Sequence, residues 1–395
     1  MKIAIVVNGF PENSETFIIN KVLALANANN HIVVVRLNNT GNNALMNVYN
    51  FNAHENIQIV NPSLPTTLVQ LIFYFFKHPI RTIQSFSFQA KKFNQQLRKN
   101  YFLHFFNHQQ FDIIHFEFSG VAVSFLDILK EIKPATVLSC RGSAEKVKVI
   151  TEPQRAQKLT QAIDVITAVH CVSSDMQNTI APYCANKEKV FVNRPAIDAS
   201  FFSPNKKPSE FNGVTVLSIG RFTFQKGYLM GILAIKKLID KGISIQWNII
   251  GDGPQVEEML FHIHELKLQE HIILHGKKNK NEVSDWMNKS DLFLLTSVYE
   301  GIPNVVLEAM AMELPVVTTK SGGVDEVIDH GIDGFIAPLY DIDGICNLLE
   351  QFIHNKDLAQ AMGKAARKKI LASYTLERQL NVFQTAYQKI IQSAK

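Results

Sequence analysis

Two glutamates, Glu300 and Glu308, stand eight residues apart in SVYEGIPNVVLEAM, with Gly-x-Pro-Asn directly after the first. Glu300 follows the apolar run DLFLLTS (291–297), which reads as a strand, so it stands in a loop at a strand end. Gly301, Ile302 and Pro303 shape a turn, and Asn304 is placed to cap the helix VVLEAMAME. Glu308 then lies one turn into that helix. The two carboxylates do not share a helix face. They can reach two ends of one ligand, with the N–H groups of the turn between them; the alternative is a loop-stabilising Glu300 and a solvated Glu308.

A second loop, GRFTFQKG (Gly220–Gly227), sets Arg221 just past a strand and Lys226 where a helix begins. Two cations beside a helix N-terminus make a receptor for a diphosphate. The helix offers free N–H groups and the positive dipole end, and Arg binds phosphate bidentately. The stretch TTKSGGVDE places Gly322 and Gly323 after a Val-rich run, where backbone N–H groups can form a nest for an anion or a sugar hydroxyl or simply a turn. GDGP (Gly251–Pro254) lacks the third glycine of a dinucleotide fingerprint and reads as a strand-to-helix turn. Asp341-Ile-Asp343 has metal-site spacing, but it precedes the helix GICNLLEQF and reads as helix capping.

These loops need a scaffold that ends its strands at one place. Short Val/Ile-rich runs alternate with helical patterns from Met1: KIAIVV (2–7), HIVVVRL (31–37), QIV (58–60), FDIIHFEF (111–118), ATVLSC (135–140), VITAVHCVS (165–173) and KVFVN (189–193). Continuous apolar strands separated by helices predict parallel sheets covered on both faces. The stretch 201–213 breaks the rhythm with two prolines and reads as a linker. Alternation then restarts with runs at 214–220, 244–251, 271–276, 291–297 and 315–319. Two helical segments close the chain, about 343–353 and 356–393, with a break near Ser373. The fold expected is α/β, two tandem Rossmann-like doubly wound domains facing a cleft. They would span 1–200 and 213–373, with a helix over 374–395 packing back towards the first domain. Ligands in such sheets bind beyond the carboxyl ends of the strands.

Composition narrows the class. The chain has 395 residues, 46% hydrophobic and 19% charged, ordinary globular material. Its four cysteines are scattered without a C-x-x-C, which fits a reducing cytosol and argues against a zinc or disulfide framework. The longest apolar stretch, LVQLIFYFF (68–76), falls below the ~20 residues needed to span a bilayer. Residues 1–205 carry a net charge of +6 and the remainder −1. Within 66–108, aromatics such as Phe73, Phe75, Phe76, Phe86 and Phe88 interleave with Lys77, Arg81, Lys91, Lys92, Arg98 and Lys99. Such a basic, aromatic segment fits either an anionic membrane surface or a core face backed by solvated lysines.

Arg221 and Lys226, Glu300-x7-Glu308, EAMA-x-x-x-PVV, GG-x-x-E and G-x-D-G-F together resemble the family-4 retaining glycosyltransferases of GT-B type. FPENSETFI (10–18), FDIIH (111–115), CVSSDM (171–176) and VNRPAIDASFFSP (192–204) resemble its exopolysaccharide branch, as in colanic-acid-type enzymes. The resemblance implies a metal-independent hexosyltransferase that moves a sugar from a nucleotide-diphosphate sugar, its co-substrate, to a glycan or lipid-linked acceptor of cell-surface polysaccharide. Arg221 and Lys226 would hold the diphosphate. Glu300 would act at the reacting centre, Gly301 to Asn304 would contact donor sugar or phosphate, and Glu308 would bind the ribose hydroxyls. The family's His-x-His is here His115-Phe116-Glu117, and a second family histidine is Arg141. His115 is either a catalytic contact to the donor sugar or a buried structural histidine. Glu117, Arg141, Ser14, Gly322 and Gly323 are further candidates for donor or acceptor contacts. A cytoplasmic enzyme, peripheral at the inner face of the membrane, with no bound metal or cofactor and no nucleic-acid partner, is the expectation. A nucleotide-sugar epimerase or phosphorylase of the same fold, and a non-enzymatic carbohydrate-binding protein, are the rivals.

Overall fold

The computed structural model describes residues 1–12, 15–38, 40–62, 90–207, 209 and 211–393, with backbone alone for 90–97. The chain divides into two compact units. One comprises Met1–Cys171, Gln177–Asn193 and Leu380–Lys395; the other comprises Val172–Met176 and Arg194–Gln379.

The described part of the first unit is built on seven strands: β1 (Lys2–Val7), β2 (His31–Arg36), β3 (Ile57–Val60), β4 (Ile113–Phe116), β5 (Ala135–Cys140), β6 (Ala168–Cys171) and β7 (Val190–Val192). They pair in parallel in the order β3-β2-β1-β4-β5-β6-β7. The strands are legible as apolar runs because helices cover both faces, so neither face needs polar residues; every residue of β4 and β5 is buried. Strand order reverses between β1 and β4, the doubly wound pattern. The Leu376–Ser393 helix closes the chain, setting Phe383, Tyr387 and Ile390 into this unit's core with Ile3, Ile5, Val137 and Ala168.

The second unit carries β8 (Val214–Ile219), β9 (Ile245–Ile250), β10 (Ile272–Leu274), β11 (Leu292–Leu295), β12 (Val316–Thr319) and β13 (Phe335–Ala337), in the order β10-β9-β8-β11-β12-β13. All the pairings are parallel. Successive strand residues feed opposite faces: Val216 enters a core with Trp247 and Leu294, and Leu217 one with Phe293 and Leu295. Trp247 seats its Nε1–H on Ser218 Oγ at 2.8 Å, so the largest buried ring has no unpaired donor.

Two elements differ from the sequence reading. β13 is an addition to it, and pairs with β12 in the register Val317↔Phe335. The stretch 201–213 is strapped to the second unit. Phe202 is buried in its core, Asn205 N–H donates to Asn288 Oδ1 at 2.7 Å, and Lys206 Nζ donates to Ser290 O at 2.8 Å. Of the basic segment 66–108, the structure describes the Ala90–His108 helix; Phe73, Phe75, Phe76, Lys77, Arg81, Phe86 and Phe88 lie outside the described residues, as does Ser14.

Candidate active site

The second sheet reverses its order between β8 and β11, and the loops leaving those two strands hold Arg221, Lys226 and Glu300. After β8, the loop is pinned on both sides. Phe222 N–H donates to Asp252 O and Gln255 N–H to Phe222 O, each at 3.0 Å, which ties it to the GDGP turn. Val298 N–H donates to Gln225 O at 2.8 Å, and Thr296 Oγ1 to Lys226 O at 3.1 Å, which ties it to the loop after β11. Gly227 starts the next helix, Tyr228–Asp240, at φ +59°, where a Cβ would meet Thr296 O at 2.2 Å; only glycine fits both constraints. The loop presents Arg221 to solvent, its side chain in no hydrogen bond or ion pair among the described residues, while Lys226 turns inward.

Lys226 meets Glu300. Its Nζ lies 2.6 Å from Glu300 Oε1, which also accepts from Ser297 Oγ at 2.8 Å. Gln225 Nε2 donates to Oε2 at 3.1 Å. Glu300 is 7% exposed, and three donors hold its carboxylate in one place. Gln225 and Ser297 are absent from the sequence reading, although both sit inside the motifs it used.

The Asn304–Ala311 helix is capped by Pro303, not by Asn304: Pro303 has φ −76° and ψ 117°, and no side chain bonds to the helix start. A proline at the cap has no N–H and no acceptor side chain. Val306 N–H donates to Pro303 O at 3.0 Å, and the N–H groups of Asn304 and Val305 are left without a side-chain partner at the positive dipole end. Gly323 N–H donates to Gly301 O at 2.9 Å, bringing the Gly322–Gly323 turn onto this loop. A Cβ on Gly323 would lie 2.6 Å from that oxygen, so the contact requires glycine.

Glu308 is partly buried, one turn into the Asn304–Ala311 helix. Burial pushes its pKa up to about 7, against the opposing field of Lys280.

Residues 201–369 match the family Glycosyl transferases group 1. Over those residues the chain is similar to that family. All of Arg221, Lys226, Glu300 and Glu308 fall among them. The putative colanic acid biosynthesis glycosyltransferase WcaL of Escherichia coli is 30% identical over 192 residues, covering 47% of each chain. The amylovoran biosynthesis glycosyltransferase AmsK of Erwinia amylovora is 26% identical over 266 residues, 65% of each. The matched segments thus span about half to two-thirds of these relatives' length. Among solved structures, HepE of Anabaena in complex with UDP superposes with a TM-score of 0.74 at 15% identity, over 98% of this chain and 99% of that one. Sucrose-phosphate synthase of Thermosynechococcus elongatus reaches 0.78 at 14%, over the whole of both chains. These likenesses show the fold, two Rossmann-like domains of GT-B type.

Two further candidates within the matched residues resolve simply. Asp341 caps the Ile342–His354 helix, accepting from Gly344 N–H at 2.8 Å, and Asp343 pairs with Lys237. Among the described residues no group of three or more His, Cys, Asp or Glu side chains could hold a metal. Glu326, the acid of GG-x-x-E, accepts from Asp175 N–H at 2.9 Å and pairs with Arg194 at 2.6 Å, so it ties chain segments together.

Outside the matched residues, the structure places His115 and Glu117 in the interior of the first unit, both with 0% exposure. Lys21 Nζ and Tyr387 OH approach His115 Nδ1 at 2.9 and 2.6 Å, and Nε2 lies 2.7 Å from Ser139 Oγ. Ser139 Oγ lies 2.8 Å from His170 Nδ1, whose Nε2 lies 2.9 Å from Asn193 O. A carbonyl can only accept, so His170 Nε2 donates; the consistent assignment runs back through Ser139 to a neutral His115 whose Nδ1 accepts from Lys21 and Tyr387. Burial, aided by the nearby cations, holds His115 well below its usual pKa and lowers His170 to about 3. Burial alone would raise the Glu117 pKa, but Lys21 at 2.5 Å and the Arg141 guanidinium, with His115, hold it well below the usual range. Arg141 alone of these reaches the surface, stacked over Phe17 at 4.3 Å. In this arrangement His115 and Glu117 present no atom to a ligand.

Proposed function

We propose that the chain is a retaining, metal-independent glycosyltransferase that moves a sugar from a nucleotide-diphosphate sugar to a glycan or lipid-linked acceptor in cell-surface polysaccharide synthesis. The observation that carries this is the Lys226–Glu300 pair, 2.6 Å apart, in the same loops as Arg221, whose side chain is unpaired among the described residues, and a helix start without a side-chain cap. A diphosphate entering here meets two cations and the uncapped N–H groups of that helix start. It can draw part of the Lys226 ammonium away from Glu300. Those groups are aimed where negative charge develops as the sugar–phosphate bond breaks, so they stabilise the transition state more than the ground state. Glu300, fixed by Ser297, Gln225 and Lys226, lies where the positive charge of the sugar ring develops. Glu308 accepts from the ribose hydroxyls. The two cations supply the charge stabilisation that a divalent ion supplies in other transferases.

The relatives support this reading. WcaL and AmsK are named for polysaccharide biosynthesis. An Escherichia coli relative, 26% identical over 215 residues, is named as a transferase to a diphosphoundecaprenol-linked acceptor. HepE was crystallised with UDP and with UDP-glucose. The proposed location is the cytoplasmic face of a membrane, as a peripheral protein; no helix of the described residues is long and apolar enough to cross one, and the net +6 of residues 1–205 suits an anionic surface.

The test is release of nucleoside diphosphate from UDP-, GDP- and ADP-sugars with and without a lipid-diphosphate saccharide, with the anomeric configuration of the product read by NMR. Acceptor-dependent release with retention supports the proposal. Sugar interconversion without acceptor points to an epimerase, and absence of any nucleotide binding points to a carbohydrate-binding protein.

A further inference from the structure

Arg155 is a buried cation without an anion. It is 6% exposed, and no other arginine among the described residues is buried to this degree. A guanidinium stays charged inside a protein, so its burial ordinarily comes with a carboxylate. Arg141, Arg194 and Arg367 each have one: Glu117, Glu326 and Glu313. Arg155 has no ion pair among the described residues. Its Nη2 donates to the neutral Ser119 Oγ at 2.6 Å, and its enclosed Nε–H has no hydrogen-bond partner. Arg194 shows the same edge filled: its Nε and Nη2 both donate to Glu326 Oε2, at 2.9 and 2.6 Å. The position of Arg155 adds a second cost. It opens the Arg155–Val165 helix, where the dipole disfavours a cation, and no side chain caps that helix. A buried polar group left without its partner calls for a reason.

Its place in the fold supplies one. Ser119 lies in the connection leaving β4, and Arg155 lies at the end of the stretch that leaves β5, while strand order in this sheet reverses between β1 and β4. Doubly wound sheets bind ligands beyond the carboxyl ends of such strands. The Ser119–Val123 helix packs against the Arg155–Val165 helix and against β5, so the Arg155–Ser119 contact belongs to this end of the sheet. Its cover is thin. Ile150 is 82% exposed, residues 151–154 are exposed, and Gly120 has no atom within 4 Å of where a Cβ would stand. One buried acid lies in the same stretch, Glu145. Its Oε2 accepts from the N–H groups of Arg141 and Gly142 at 3.2 and 3.0 Å, its Oε1 has no partner, and no ion pair joins it to Arg155.

We propose that Arg155 and Ser119 form an anion subsite of the first unit that takes a phosphate group of the acceptor. This rests on the reading of the chain as a transferase and names the chemistry of its acceptor. One phosphate oxygen accepts from the Arg155 Nε–H and completes the edge that Ser119 leaves half used. Ser119 accepts from Arg155 with its oxygen, which leaves its O–H to donate to a second phosphate oxygen. The anion supplies the charge that the fold omits. The buried guanidinium therefore costs stability in the free chain and recovers it in the complex. Entry displaces the exposed residues 150–154 and leaves the sheet in place. The subsite makes and breaks no bond; it holds the acceptor.

The experiment uses the full chain. UDP binding is recorded first, and UDP is then kept at saturation so that added diphosphate meets an occupied donor site. Calorimetry measures inorganic pyrophosphate and geranyl diphosphate on the parent, Arg155→Met and Arg155→Lys, and thermal midpoints are read without either ligand. Arg155→Met is expected to bind both diphosphates about 10- to 100-fold more weakly, as for loss of a charge-assisted contact. Its midpoint should equal or exceed that of the parent, because an apolar chain replaces an uncompensated charge. Arg155→Lys keeps a cation without the planar fork and should lose affinity by less. Tighter binding of geranyl diphosphate gives the phosphate's source as a lipid headgroup, and equal binding gives it as phosphate alone; both support the subsite. Unchanged affinities in Arg155→Met overturn the proposal. So does a lowered midpoint, which means that the charge is compensated inside the fold, as by a water-bridged Glu145. If UDP does not bind the parent, the transferase reading fails, while the difference between the parent and Arg155→Met still decides the subsite.

Discussion

Both sheets place a buried ion pair at the carboxyl end of a strand beside the point where strand order reverses. In the first unit it is Lys21–Glu117, with Arg141; in the second it is Lys226–Glu300. The first pair is closed. Tyr387, Ser139, His170 and Asn193 take up the ring nitrogens around it, and the Phe383 ring covers Lys21 at 4.2 Å. The second pair is open: Arg221 beside it is unpaired among the described residues, and no side chain caps the adjoining helix. The same residue chemistry serves stability when its partners are all internal, and binding when some remain for a ligand.

The largest expected difference between the two pairs is in folding. Glu117→Ala leaves Lys21 and Arg141 without their shared carboxylate and should cost roughly 3–5 kcal/mol of stability, read as a fall in denaturation midpoint. The pH profile follows the same network. The depressed Glu117 pKa contributes stability that is present above the unfolded carboxylate pKa and lost as pH falls through the folded value. His170, lowered to about 3, contributes stability that is full above the unfolded value of ~6.5 and lost as pH falls from there towards 3. His170→Asn should flatten urea stability across that window; an unchanged profile would break the picture of a closed network.

In the open pair the loss should appear in function. Glu300→Gln is expected to lower kcat by about 10²–10³-fold with the fold intact, as for removal of one preorganised transition-state contact. A kcat within a few-fold of the parent would place the reacting centre elsewhere. Arg221→Ala and Lys226→Ala should each weaken nucleoside diphosphate binding by about 1.5–3 kcal/mol and leave nucleoside binding nearly unchanged; calorimetry showing equal losses for both ligands contradicts the phosphate assignment.

Glu308→Gln should raise the donor KM and, in the free protein, increase stability. The folded pKa of about 7 exceeds the unfolded carboxylate value, so the penalty for the buried charge grows as pH rises through that interval and is full above pH 7. The variant should therefore gain about 1–3 kcal/mol at pH 8 and less at pH 5. Melting curves at the two pH values check the sign.

The smallest effect concerns the membrane. The full chain should bind anionic vesicles at low salt and release them as salt rises, at roughly 1 kcal/mol per Lys or Arg near the surface. Two of the cations in the Ala90–His108 helix are already engaged, Lys99 with Glu131 at 2.8 Å and Arg98 against Phe102. Cosedimentation with no salt dependence removes the electrostatic docking.

The sequence by itself determined the strands and the loops after them. A strand buried on both faces must be a continuous apolar run, and a phosphate-binding turn needs its glycines and cations within a few residues. Both are local requirements, and both are local signals. β13 escaped although it is no shorter than β7 or β10: Phe335–Ala337 carries one β-branched residue where each of those carries two, and it lies between Gly334 and Pro338, which signal a turn. The cap of the Asn304–Ala311 helix was misplaced by one residue, since local geometry decided between Pro303 and Asn304. The setting of His115 was beyond any local reading. Its partner Tyr387 lies 272 residues away, and whether a histidine meets a ligand or a buried phenol depends on which distant helix the fold lays over it. The field of Lys280 at Glu308 is of the same kind. Burial and charge environment belong to the assembled chain, so the tertiary structure alone decided which of the sequence's acids and bases are closed off and which remain open to a ligand.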